Sequence, residues 1–153
     1  MIFERLTQYG PFPLRILAGV AFIAHGLPKL SNIAGTEHFF ANMAGLPASL
    51  ALPVGLLEVV GGIVLLLGLL TRIASILLMA EMIGSTIVAK LPKGFVGGYE
   101  LDLLLMALTI SLILTGPGRL SIEWNILRRE IFPRGKQMIL QQKQGLSGLN
   151  RKM

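Results

Sequence analysis

The feature that most constrains the fold is an apolar run from Leu52 to Arg72, with the sequence LPVGLLEVVGGIVLLLGLLTR. A helix needs about 20 mostly apolar residues to cross the hydrocarbon core of a bilayer, and this run has that length. One ionisable residue, Glu58, interrupts it. A carboxylate at membrane depth costs about 2.5–3.5 kcal/mol on insertion scales, so we expect Glu58 to face a protein interior and a polar partner rather than lipid.

The composition favours a membrane protein. Hydrophobic residues make up 53% of the 153 residues, charged residues only 14%, and the mean hydropathy is +0.70, whereas a soluble domain is about a quarter charged. The net charge of +6 arises wholly from residues 119–153, a distribution typical of a cytoplasmic segment after a membrane helix. Nucleic-acid binding is therefore not predicted. The absence of cysteine excludes disulfides and thiolate metal sites.

The pattern predicts an all-α integral membrane protein, an antiparallel four-helix bundle in residues 1–118 with both termini cytoplasmic. The predicted spans are about 13–30, 52–70, 72–90 and 99–116, and a basic cytoplasmic tail follows at 119–153 with an amphipathic segment at 121–132. Between the first two spans, Thr36 can cap a short helix that ends near Gly45. We expect this helix to lie in the membrane interface; a plain surface loop is the alternative.

Ionisable residues occur in the outer, non-cytoplasmic half of every predicted span. Spacings of three and four residues put one of them on the inward face of each span: His25, Glu58, Glu81 and Asp102. Because intramembrane ionisable residues commonly mark functional sites, they predict a polar pocket open to the non-cytoplasmic face. Structural alternatives are polar contacts between helices, dipole complementarity for Glu100 and Asp102, and a snorkelling Lys29. The inner half is predicted to hold no charge except the flanking Arg15 and Arg72.

Motifs for bound metals and redox cofactors are missing from the sequence. No Glu-x-x-His pair accompanies the carboxylates, so a metal site is not predicted. The chain also lacks a dinucleotide fingerprint, a cysteine cluster and a bis-histidine haem pair. If the protein takes part in redox chemistry, a partner or the ligand itself must carry the electrons.

Six short motifs, in order along the chain, resemble the DoxX family of small bacterial and archaeal membrane proteins. They are His25-Gly26-Leu27-Pro28-Lys29-Leu30, Gly45-Leu46-Pro47, Leu57-Glu58 with Gly61-Gly62, Gly68-Leu69-Leu70-Thr71-Arg72, Gly98-Tyr99-Glu100 and Gly116-Pro117-Gly118-Arg119. The similarity runs from about Leu14 to Ser121. It implies four transmembrane helices and a role beside quinone-linked oxidoreductases, with relatives tied to thiosulfate–quinone oxidoreduction, terminal oxidases and oxidative or electrophile stress. It gives no support to the tail.

The leading hypothesis is a membrane subunit of a quinone-linked redox or stress-response system in a bacterial or archaeal cell membrane. A quinone-like ligand would bind in the outer pocket; no covalently bound cofactor is expected. Catalytic roles are expected for His25, Glu58 and Glu81, and ligand contacts for Lys29, Phe22, Asp102, Tyr99 and Glu100. Expected partners are the bilayer, an oxidoreductase subunit and a second copy of the chain. The alternatives are a non-catalytic anchor or assembly module for an oxidoreductase, and a small transporter or proton conduit.

Overall fold

A computed structural model describes residues 8–123, and the regular structure in that part of the chain is entirely helical. The α-helices are α1 (Pro11–Ser31), α2 (Ile33–Asn42), α3 (Ala51–Leu67), α4 (Thr71–Ser85) and α5 (Glu100–Thr115). Short helical turns at Ala48–Leu50, Thr86–Lys90, Leu91–Lys93 and Phe95–Tyr99 extend α3, α4 and α5. Most of the predicted amphipathic segment 121–132, from residue 124 onwards, lies outside the described residues.

Within residues 8–123, four helical segments are long and apolar enough to cross a membrane: Pro11–Ser31, Ala48–Leu67, Thr71–Lys93 and Phe95–Thr115. The helix α1 packs against α3 and α5, and α4 packs against the same two helices. Their shared core is formed by Ala18, Phe22, Leu65, Ala74, Leu78, Met82, Leu105 and Leu112. Large apolar side chains point outwards, such as Leu114, which is 75% exposed, as expected where lipid is the solvent. The chain is thus a multi-pass membrane protein.

The ends of the four spans form two groups, an outer end and an inner end, at which the helices stop in different ways. The end that the charge distribution predicts to be outer holds Ser31, Ala48, Lys93 and Phe95, and the other, inner end holds Pro11, Leu67, Thr71 and Thr115. At the inner end α3 stops at Leu67 rather than at 70, because Gly68 adopts a left-handed conformation with φ of 67°. At the outer end the α-helix of the third span stops at Ser85 and continues as a wider helical turn.

The predicted helix between the first two spans is present as α2, with a different cap. Asn32 precedes it, and the Asn32 side chain accepts a hydrogen bond from the Gly35 backbone N–H at 3.1 Å. The predicted Thr36 cap is wrong because Thr36 lies inside the helix. Its hydroxyl lies 3.0 Å from the backbone carbonyls of Lys29 and Asn32, to which it donates.

Glycines allow α1 and α3 to approach very closely. A Cβ atom on Gly62 would lie 2.7 Å from the backbone oxygen of Gly19, and one on Gly19 would lie 2.8 Å from the oxygen of Gly62. Small residues at such positions bring helix backbones together, and van der Waals packing then holds the pair. Gly19 and Gly62 therefore bring α1 and α3 into direct backbone contact.

The inner end holds a buried arginine that the sequence analysis treated only as a flanking charge. Arg15 is fully buried, and its Nη2 donates to the backbone oxygen of Leu120. Beyond α5 the chain turns back, and the backbone N–H of Glu123 donates to the oxygen of Gly68 at 3.3 Å. The Glu123 carboxylate is buried and attracts the Arg15 charge. Arg15 is therefore more than a charge that flanks the first span, because residues 116–123 fold over that end and bury it.

Replacing Gly62 by alanine tests the close contact of α1 and α3. The added methyl group meets backbone, which cannot rotate away, so Gly62→Ala should destabilise the protein by about 1–3 kcal/mol. Gly84→Ala is the matched control, because a Cβ there meets no atom within 4 Å. Thermal unfolding in one detergent compares the two variants. Equal melting temperatures would contradict the role given to Gly62.

Candidate functional site

A cavity of about 310 Å³ lies at the outer end of the spans. Residues from α1, α3, α4 and α5 line it together with α2 and the connection that follows α2. They are His25, Lys29, Phe39, Phe40, Ala44, Leu46, Leu50, Val54, Glu58, Glu81, Met82, Gly84, Ser85, Val88, Ala89, Lys90, Lys93 and Asp102. The cavity therefore gathers ionisable side chains from all four spans, as the inward-facing spacing predicted.

The Lys29 ammonium group links two carboxylates of different helices. Its Nζ lies 2.7 Å from Oε2 of Glu58 and 3.9 Å from Oε1 of Glu81. Glu58 is fully buried, and its Oε1 makes no hydrogen bond within residues 8–123. The buried Oε2 of Glu81 likewise has no hydrogen-bond partner in that part of the chain. Two carboxylates thus share one cation, and both retain free acceptor atoms beside the cavity.

A second ion pair closes the side of the cavity formed by the third and fourth spans. Lys90 Nζ lies 2.6 Å from Oδ1 of Asp102, and the Thr86 hydroxyl donates to Oδ2 of Asp102 at 2.9 Å. Asp102 is buried, so both of its carboxylate oxygens are engaged. Charge-assisted hydrogen bonds of this kind are short and directional. We infer that Asp102 orients Lys90 toward the cavity.

The remaining wall of the cavity is apolar and aromatic. Phe39 and Phe40 of α2 pack edge to face with ring centroids 6.2 Å apart, and both line the cavity. Met43, one turn further on, is exposed and does not line it. His25, which is partly buried, brings an imidazole to the same space. The cavity thus combines an apolar side with a charged side, as sites for small ligands commonly do.

Five of the residues predicted to form the site lie together around the cavity: His25, Lys29, Glu58, Glu81 and Asp102. Their roles toward a ligand stay predictions.

The other three residues of the predicted site lie elsewhere. Phe22 is fully buried in the shared core, and the Tyr99 ring packs against Phe95 with centroids 5.6 Å apart. Glu100 accepts a hydrogen bond from the Gly97 N–H at 3.1 Å, at the start of α5. That contact fits the structural alternative for Glu100, since a carboxylate satisfies free N–H groups at a helix start.

The sequence analysis missed Lys90 and Thr86 as parts of the site. Lys90 lies at the same depth as Asp102 on the neighbouring span. A comparison of depth between lysines and acids would have suggested the pair. Among residues 8–123, no group of three or more histidine, aspartate or glutamate side chains is placed to hold a metal ion.

Comparisons with known proteins now identify the family. The family model described as DoxX matches residues 10–91, more than half of the chain. The chain belongs to the DoxX family. The motifs from Gly98 onwards lie outside that match. No solved structure matches this DoxX protein.

Curated relatives of this DoxX protein cover most of its length. It is 37% identical over 116 residues to a Bacillus subtilis protein named "Putative oxidoreductase CatD", an alignment that spans 76% of this chain and 86% of the relative. It is 33% identical over 133 residues to an uncharacterized membrane protein of Mycobacterium tuberculosis, spanning 76% of this chain and 80% of the relative. It is 32% identical over 125 residues to the Inner membrane protein YqjF of Escherichia coli, spanning 78% and 94%.

Removing Lys29 tests whether it holds the two carboxylates in this DoxX protein. Lys29→Met leaves the buried Glu58 without its cation and should cost up to about 3–5 kcal/mol of stability. The double variant Lys29→Met with Glu58→Gln should recover much of that loss, because the fully buried position 58 then carries no charge and only Glu81, whose contact with Lys29 is longer at 3.9 Å, has lost its cation.

Lys93→Met is the matched control, since Lys93 is exposed and has no carboxylate partner within residues 8–123. Thermal unfolding in detergent measures all variants. Equal losses for Lys29→Met and Lys93→Met would show that the ion pair contributes no stability.

Proposed function

We propose that this protein is a membrane subunit of a redox system and binds a small quinone-like molecule in the outer cavity. The observation that carries the proposal is one cavity in which an apolar, aromatic wall faces lysine, histidine and carboxylate groups. A quinone likewise combines an apolar part, its flat ring, with a polar part, the oxygens at the edge of that ring. The name of the Bacillus subtilis relative, which includes oxidoreductase, supports the same class of chemistry.

The size of the cavity favours a ligand with one or two rings. Its volume of about 310 Å³ is at the lower end of the range of about 300–1,000 Å³ found for small-molecule sites. The Phe39 and Phe40 rings offer an apolar surface to such a ligand. His25 and Lys29 would contact its oxygens, His25 through a hydrogen bond and Lys29 by stabilising negative charge.

The carboxylates suit the exchange of protons with the ligand. Reduction of a quinone consumes protons as well as electrons, and Glu58 and Glu81 both present buried oxygens without hydrogen-bond partners among the described residues. With one ammonium group between them, one carboxyl can hold a proton while the other keeps the ion pair. The electrons would come from a partner subunit or leave with the ligand, since no electron-carrier motif is present in the sequence.

The geometry favours ligand binding over a conduit across the membrane. Phe22, Leu65 and Leu78 are fully buried between the cavity and the inner end, so the polar groups of the two ends are separated by packed apolar side chains. The alternative role as an anchor or assembly module is supported by the two ion pairs of the cavity, because ion pairs that only stabilise the fold would suit a non-catalytic module. The free volume beside them argues for a ligand, because ion pairs with a purely structural role need no adjacent cavity.

We also propose that both termini face the cytoplasm and that the cavity opens toward the opposite side of the cell membrane. The excess of lysine and arginine in residues 119–153 supports this orientation. The name of the Escherichia coli relative, which includes inner membrane, supports the location.

Binding of a naphthoquinone to the purified protein tests the proposed function. The tail-less naphthoquinone menadione should bind the wild type, measured by calorimetric titration in detergent. Glu58→Gln and His25→Ala should each weaken binding about tenfold or more, because each removes a charged or hydrogen-bonding group from the cavity.

Glu37→Gln and His38→Ala are the matched controls, as both residues are exposed on α2 and do not line the cavity. They should leave the affinity unchanged. Equal affinities in the wild type, Glu58→Gln and His25→Ala would remove the proposed site, and the anchor role would then be the better account.

A further inference from the structure

A second, wholly apolar groove of about 380 Å³ lies between α3 and α4, inward of the cavity. It is lined only by aliphatic side chains, proline and glycine, among them Leu57, Val64, Ile73 and Leu77. Several of the lining side chains are exposed, Val60 at 53% and Leu77 at 49%, so the groove opens on the lipid-facing side of the two helices. In a bilayer an apolar chain fills such a groove, either a bulk lipid chain or the tail of a bound ligand.

The groove and the cavity follow the same line along each helix. On the second span the line runs through Leu50, Val54, Leu57, Gly61 and Val64, in steps of four and three residues; the first two line the cavity and the other three the groove. On the third span it runs through Ala74, Leu77, Glu81, Gly84 and Val88, with Ala74 and Leu77 in the groove and the rest in the cavity. Residues in such steps share one helix face. The cavity and the groove therefore lie one after the other along the line where these faces of the second and third spans meet, which we call the seam.

The seam is open where it passes the cavity. Gly84 lines the cavity and is exposed, and a Cβ atom added there would meet no atom within 4 Å. By contrast, Gly61 inside the groove packs against Leu78, at 3.0 Å from an added Cβ. The tail of a ligand bound in the cavity would therefore leave the cavity past Gly84, along the side of α4 that borders the groove.

The charges of the cavity favour a neutral polar head. Three acidic side chains, Glu58, Glu81 and Asp102, and three lysines, Lys29, Lys90 and Lys93, line the cavity, so acidic and basic groups are equal in number. An anionic phosphate head would meet as many acidic as basic side chains. A neutral head at the outer end, with an apolar tail directed toward the middle of the bilayer, also has the orientation of a membrane-resident amphiphile.

We propose that the cavity and the groove form one site for a lipid-tailed ligand, with the quinone-like head in the cavity and its isoprenoid or alkyl tail in the groove between α3 and α4. This inference rests on the proposed function and narrows its ligand from small quinones in general to tailed quinones resident in the membrane. The tail would contribute affinity by burying methylene groups against the groove. The head would be recognised by the groups already described.

The experiment compares one ring with and without a tail. Menadione and the same naphthoquinone carrying a phytyl tail are titrated into the protein in lipid nanodiscs. The variants Val60→Phe and Ile73→Phe place larger side chains into the groove, and both positions are partly exposed, so that the added rings do not disturb the core. Leu104→Phe is the matched control, because Leu104 is 62% exposed on α5 and lies outside the groove.

The expected result is that the groove variants weaken binding of the phytylated quinone about tenfold, as expected when about two methylene groups lose their contacts. Menadione binding should stay unchanged in the groove variants, and Leu104→Phe should change neither affinity. Unchanged affinity for the tailed quinone in Val60→Phe and Ile73→Phe would overturn the inference and assign the groove to bulk lipid chains, while menadione binding would leave the proposed function standing. Failure of the wild type to bind either quinone would overturn both.

Discussion

The outer half of the protein depends on one ammonium group, that of Lys29. Lys29 lies 2.7 Å from Glu58 and 3.9 Å from Glu81, and these residues belong to three different spans. Without that cation a fully buried Glu58 would be a charge at membrane depth, which is strongly unfavourable. The ion pair therefore fixes the outer ends of α1, α3 and α4 relative to one another. It also holds the free carboxylate oxygens of Glu58 and Glu81 beside the cavity, where they could contact a ligand.

Which residues form the site could be predicted largely from their spacing in the sequence and their depth along each span. Steps of three and four residues assign a helix face, and position along the span assigns a depth, so His25, Glu58, Glu81 and Asp102 could be predicted to meet, and all four line the cavity. Similar depth on neighbouring spans could suggest that Lys90 and Asp102 lie near each other, but the ion pair itself could not be predicted from spacing. Lys90 reaches Asp102 from a wide helical turn after the regular part of α4, and such a turn changes the direction of every later side chain.

The four spans follow from hydropathy, but the burial of Arg15 does not. A basic residue near the end of a span commonly reaches the interface, and counting spans gives no reason to bury it. Arg15 is buried because Gly116 and Gly118 adopt positive φ values of 75° and 71° and turn the chain back over the inner end. Leu120 then supplies the carbonyl to which Arg15 donates. This contact is made by the tertiary fold, so no local pattern predicts it.

The two ends of the spans hold buried charge in different ways. At the inner end the space around Arg15 is filled, since a Cβ on Gly68 would overlap its guanidinium group, and backbone atoms of residues 120 and 123 close over it. At the outer end comparable charges border a cavity of about 310 Å³. Buried charged groups that are enclosed by packed atoms serve the fold, whereas those with free acceptors beside a cavity can bind something else. Free volume, more than charge, is therefore what makes the outer end the candidate site.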